Sequence, residues 1–104
     1  MTGKDFAQLV KQDKDETVDI YFSDEETEVG LIIERLVETG GSIEDIRSLV
    51  NTVLNEQCYR MLLALEGEAS LGNVQQPYRL FDEEGNRLTG LGEIESEAFD
   101  LFME

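Results

Sequence analysis

The 104-residue chain has no histidine and no tryptophan, one cysteine, one proline and only eight lysine or arginine residues. Each shortage excludes something. Without histidine, the most common general base and metal ligand is missing. Cys58 alone cannot form an internal disulfide, which fits a reducing compartment. The lone Pro77 and the lack of low-complexity runs argue against a disordered linker. No apolar run approaches the roughly 18 residues of a membrane span. The opening "MTGKDFAQLV" lacks the apolar stretch of a signal peptide, so the expected location is the cytoplasm. There is no phosphate-cradling glycine loop, no Gly-x-Ser-x-Gly elbow and no Cys/His metal spacing.

What the chain does contain is acid: 24 Asp and Glu, for a net charge of −16. Residues 15–45 carry eleven acids against Arg35 alone, and residues 81–104 carry eight against Arg87 alone. The stretch between them is neutral and more apolar, as a core element would be. Such a field repels nucleic acid and anionic membranes and draws in a basic protein partner, with an on-rate that falls as salt rises. The plain alternative is that surplus carboxylate keeps a small protein soluble. Close carboxylate pairs of the glycosidase kind would arise by chance at this density, and a chain this short rarely builds a deep cleft. The expectation is a single non-enzymatic domain without a cofactor. At 40% apolar residues, it has enough for one modest core.

Periodicity gives the elements. Residues 3–12 place Phe6, Leu9 and Val10 at helical spacing behind a Thr2 cap. "TVDIYF" (17–22) alternates apolar and polar residues and reads as a short strand, with a loop or helical turn as the alternatives. Ser23 and Glu26 form a capping-box pattern before the stripe Val29, Ile32, Ile33, Leu36 and Val37, which Gly40 and Gly41 stop. Gly30 weakens that helix by about 1 kcal/mol and leaves room for another element to approach. Ser42 opens a long helix over residues 43–66, the predicted spine, with Cys58 on its apolar stripe as a packed, unreactive thiol. Its stripe widens at Leu63 and Ala64, which predicts burial on more than one side. "PYRLFDEEGNRLTG" (77–90) reads as a β-hairpin, and residues 92–104 as an amphipathic helix with Ile94, Ala98, Leu101 and Phe102 inward. The sum is an α+β fold: four helices and a small antiparallel sheet made of the hairpin and the early strand.

The run "DEEGNRLTGLGE" (82–93) matches a calcium loop in part. Asp82, Glu84, Asn86 and Glu93 sit at positions 1, 3, 5 and 12. Position 6, however, is Arg87 where the loop requires glycine, and the preceding "PYRLF" is no helix. The stretch is read as a polar turn, not a metal site.

The C-terminal half, "MLLALEGEASLGNVQQPYRLFDEEGN" followed by "GEIESEAF", resembles a group of small acidic bacterial proteins of uncharacterised function that share L-L-x-L-x-G-x-A-S-x-G and Q-x-x-Y-x-L-x-D-E-x-G-N. The resemblance implies no defined activity. By size and charge, such proteins look like immunity proteins or inhibitors of bacterial conflict systems. The leading expectation is a non-enzymatic binding protein whose acidic faces meet a basic partner, in its most concrete version an immunity-type inhibitor that plugs the basic site of a nuclease-like toxin in place of phosphates. The expected contacts are Asp24, Glu25, Glu26 and Glu28 with Asp82, Glu83 and Glu84. Tyr21, Phe81 and Phe99 fall off the main apolar stripes and are candidate interface aromatics. The alternative is a homodimeric assembly subunit that pairs through those aromatics.

Overall fold

A computed structural model describes residues 1–103. The chain forms α1 (Gly3–Tyr21), α2 (Glu28–Glu38), α3 (Ile43–Leu65) and α4 (Glu93–Phe102), with a long irregular strap, 66–92, between the last two. No sheet forms among the described residues, only two isolated bridges, Leu71 with Val74 and Phe81 with Arg87. The fold is therefore all-helical, and the expected α+β architecture is overturned.

Two segments account for the difference. Residues 17–21 continue α1 instead of forming a strand. The reason lies at Lys14, which is only 4% exposed and occupies a core position between Ala7 and Val18. Its Nζ donates to Asn51 Oδ1 on α3 at 2.8 Å and lies 2.6 Å from Asp15 Oδ1. Its aliphatic stem thus fills a place in the apolar stripe, as long basic side chains can. A lysine at that place makes one helical period look like two short elements. Lys14 also lines a groove between α1 and α3 with Leu54 and Cys58. Lys11–Asp15 and Gln12–Glu16 contacts at i,i+4 support the uninterrupted helix.

The second segment is the hairpin. The chain does reverse at Asp82–Asn86, where Gly85 takes φ +87°. The flanking residues do not form a ladder. Instead Thr89, fully buried, accepts from Leu80 N–H at 3.0 Å and donates to the Tyr78 carbonyl, while Tyr78 N–H bonds Leu65 O at the end of α3. Backbone pairing is confined to the one bridge beside the turn, with Asp82 N–H on Asn86 O and Leu88 N–H on Leu80 O; beyond it the Thr89 side chain takes over, and the strap is stitched to α3 rather than to a sheet.

α1, α3 and α4 pack on one another around Ala7, Leu62, Leu88, Ile94, Ala98 and Phe102. As the widened stripe predicts, the C-terminal half of α3 lies in this core, with Leu62 and Ala64 buried. Cys58 packs at its edge, and burial pushes its thiol pKa up, away from reactivity. Ser42 caps α3 by accepting from Asp45 N–H at 3.3 Å. α2 stands apart: it packs mainly on α3, and far less extensively than the other helices pack together. The radius of gyration, 16.2 Å, exceeds the about 13 Å of a compact chain this long, and the longest dimension is 48 Å. No helix among the described residues is long and apolar enough to cross a membrane.

Candidate functional site

The corner where α1 turns into α2 gathers most of the expected contacts. α1 ends at Tyr21, and Ser23 Oγ seals the turn, donating to Ile20 O at 2.7 Å and accepting from Glu25 N–H at 3.1 Å. The helix cap is Thr27, not Ser23: its Oγ1 accepts from Gly30 N–H at 2.9 Å. Asp24, Glu25 and Glu26 therefore lie on the exposed turn between the helices instead of in the first turn of α2. Gly30 matters here, as a Cβ would come within 2.9 Å of Thr27 Oγ1 and 3.4 Å of the Tyr21 carbonyl. The missing side chain lets the start of α2 sit against the end of α1. Arg47 of α3 braces the corner, placed 5.0 Å over the Phe22 ring and 2.8 Å from Asp19 Oδ1.

The result is an open groove of about 580 Å³. Tyr21, Phe22, Leu31, Ile33, Val37 and Ile43 supply its apolar surface, and Asp24, Glu25, Glu26, Glu34 and Glu38 its carboxylates. None of the described lysines or arginines lines it. The C-terminal carbonyls of α1 face this corner without a basic residue in its last turn, and the helix dipole adds to the negative potential. Glu28 belongs to a neighbouring, shallower groove along α2 with Leu31, Ile32 and Arg35.

The second expected acidic cluster lies elsewhere. Asp82 sits 3.2 Å from the Met1 amino group at the start of α1, whereas Asp24–Glu26 follow its end. A helix of 19 residues separates them by about 28 Å. The two clusters therefore do not converge. Asp82 is also committed within its own turn, accepting from Asn86 Nδ2 (2.9 Å), Asn86 N–H (2.8 Å) and Glu84 N–H (3.0 Å), which leaves Glu83 and Glu84 as the exposed pair. Phe81 and Phe99 are exposed but neither lines the groove; of the three singled-out aromatics only Tyr21 does.

The Asn86 side chain, then its backbone N–H, and the Met1 ammonium hold the Asp82 carboxyl down at about 2, from an ordinary value of 3.8. A carboxyl whose pKa is depressed by folding stabilises the fold above 3.8, and that contribution is lost as pH falls through about 2. Carbon-detected NMR titration of Asp82 should give a midpoint near 2, and Asn86→Ala should move it up toward 3.8. A wild-type midpoint already at 3.8 would mean that the turn does not hold the carboxylate.

Comparison with protein-family models, with curated proteins and with solved structures returns no significant match. The site therefore stands on its own geometry. Sequence reading found the acids at 24–26 and Tyr21 but missed Leu31, Val37, Ile43, Glu34 and Glu38. One signal was present. Val29, Ile32, Ile33, Leu36 and Val37 already cover about 140° of α2 at 100° per residue, and Leu31 lies outside that arc. That is more apolar surface than one neighbouring helix can cover.

Proposed function

We propose that the chain is a non-enzymatic binding domain that meets a basic protein partner through the α1–α2 corner. The observation that carries this reading is the groove itself: apolar surface and five carboxylates at the negative end of a helix, with no cation among its described lining residues. The most concrete form is an immunity-type inhibitor whose Asp24, Glu25 and Glu26 occupy the phosphate-binding surface of a nuclease-like partner. The Glu83–Glu84 turn, about one helix length away, would reach only a second, separate basic patch. Affinity capture from the native host at low salt is expected to return a basic protein that elutes as salt rises. The triple variant Asp24→Lys, Glu25→Lys, Glu26→Lys should release it while keeping the helical circular dichroism spectrum. Recovery of only acidic or neutral proteins, or binding unaffected by the triple variant, would sink the reading.

A homo-oligomeric assembly subunit is the second reading. It draws on Leu49 and Val53, one turn apart and exposed on α3, and has the net charge of −16 against it.

A further inference from the structure

α2 is an 11-residue helix, too short to be stable alone in water, and its packing on the rest of the fold is thin. Of its apolar residues only Ile33 is buried; Leu31, Ile32, Leu36 and Val37 are exposed. Of these, Leu31 and Val37 line the α1–α2 groove, while Ile32 and Leu36 lie outside it, so it is the groove side of α2 that calls for a covering element. The chemistry around it narrows what that element is. The groove beside α2 carries Asp24, Glu25, Glu26, Glu34 and Glu38, so an acidic or neutral segment would leave these charges unpaired at its edge. A second copy of this chain would bring another net charge of −16 to the same place. An extended peptide added to a sheet edge is also disfavoured, because the described residues form no sheet to extend. With Leu31 and Val37 on one helix and Ile43 at the start of the next, the surface offers ridges of the kind against which another helix packs. α2 is about 16 Å long, which matches about three turns of a docked helix.

We propose that the α1–α2 groove seats one amphipathic, basic helix of a partner protein, its apolar residues on Leu31, Val37 and Ile43 and its lysines or arginines on the groove's carboxylates, of which Glu34 lies between Leu31 and Val37 on α2 and Asp24, Glu25 and Glu26 at the α1 end. This rests on the binding reading above and specifies the partner element. The groove then recognises two properties together, apolar side chains and positive charge set beside them on one helix face. Charge alone sets the encounter rate, and the apolar contact sets the residence time.

The test uses the full chain and three synthetic peptides of about three helical turns. One is a leucine/lysine amphipath, one has the same composition scrambled to remove the stripe, and one is a leucine/glutamate amphipath. The leucine/lysine amphipath is expected to bind 1:1, gain helicity and shift the amide resonances of Leu31, Val37 and Ile43. The scramble should bind at least about tenfold more weakly and the acidic amphipath not at all. Leu31→Glu is the deciding variant. Leu31 is 47% exposed in the first turns of α2, where a glutamate is tolerated, so the fold should survive. The substitution adds a negative charge. Attraction by charge alone predicts tighter binding, whereas the seat predicts a loss of about tenfold or more. Equal binding of amphipath and scramble, unaffected by Leu31→Glu, would overturn the seat and leave the acidic-corner reading standing. If no basic peptide binds at low salt, both fall. A dimer in sedimentation that Leu31→Glu dissociates would place a second copy in the groove and overturn the proposal.

Discussion

Replacing Leu62 by alanine is expected to lower the free energy of unfolding by about 3–4 kcal/mol, read from urea or guanidinium melts at unchanged m-value. Leu62 is 1% exposed and sits where α1, α3 and α4 meet, against a cluster that includes Ala7, Ile94 and Phe102. Truncation removes transfer energy and leaves a cavity that three converging helices cannot easily collapse. A chain of this size has about 5–15 kcal/mol in total, and an elongated one with a small core belongs toward the low end. The melting temperature should accordingly drop by roughly 15–25 °C. The control lies on the same helix. Leu49 is 64% exposed, so Leu49→Ala should stay within about 0.5 kcal/mol of wild type. If the two substitutions cost the same, the core is not where the structure places it.

The second large effect concerns the strap. Thr89→Val keeps the shape and the burial of the side chain but removes both hydrogen bonds of its hydroxyl. The Leu80 N–H and the Tyr78 carbonyl would then be left without partners beside a fully buried side chain. Each such orphan costs about 1–3 kcal/mol, so a loss of about 2–4 kcal/mol is expected. Thr89→Ser retains the hydroxyl and gives up one methyl, a loss of about 1 kcal/mol. The order valine worse than serine distinguishes a hydrogen-bonded clasp from simple packing. Hydrogen exchange should show the Leu80 amide losing protection in the valine variant first. A valine variant as stable as wild type would show that the hydroxyl does not hold the strap.

How far the sequence announced this structure depends on the element. α3 was legible because cap and stripe agree, Ser42 standing just before Ile43, and α4, which has no side-chain cap, was legible from its stripe of Ile94, Ala98 and Phe102 alone. α1 was half legible. Its Thr2 cap was readable, to which the structure adds the return bond from Asp5, but Lys14 in a core position broke the apparent period and let Val18, Ile20 and Phe22 pass for a strand. The hairpin failed for a different reason. Turn chemistry at Asp82–Asn86 is local and was readable, whereas strand pairing is not local. Nothing in "PYRLF" shows that the hydroxyl of Thr89, nine residues beyond Leu80, takes the Leu80 amide. The candidate site was visible as charge and invisible as shape. Asp24–Glu26 stand out in composition, but the apolar surface they border is assembled from the end of α1, the body of α2 and the first residue of α3.

The 48 Å length of the molecule has a consequence for how such a protein can change over generations. Leu62, Ile94 and Phe102, which hold the fold, cluster where α1, α3 and α4 converge, while Leu31, Val37 and Asp24–Glu26 line the groove at the far end of α1. Substitutions beyond about 10 Å of one another act nearly independently. Residues of the corner can therefore be replaced, one carboxylate or one aliphatic at a time, without loosening the helices that fold the chain. Under the binding role proposed above, such a lineage could follow a changing partner at little risk to its own folding.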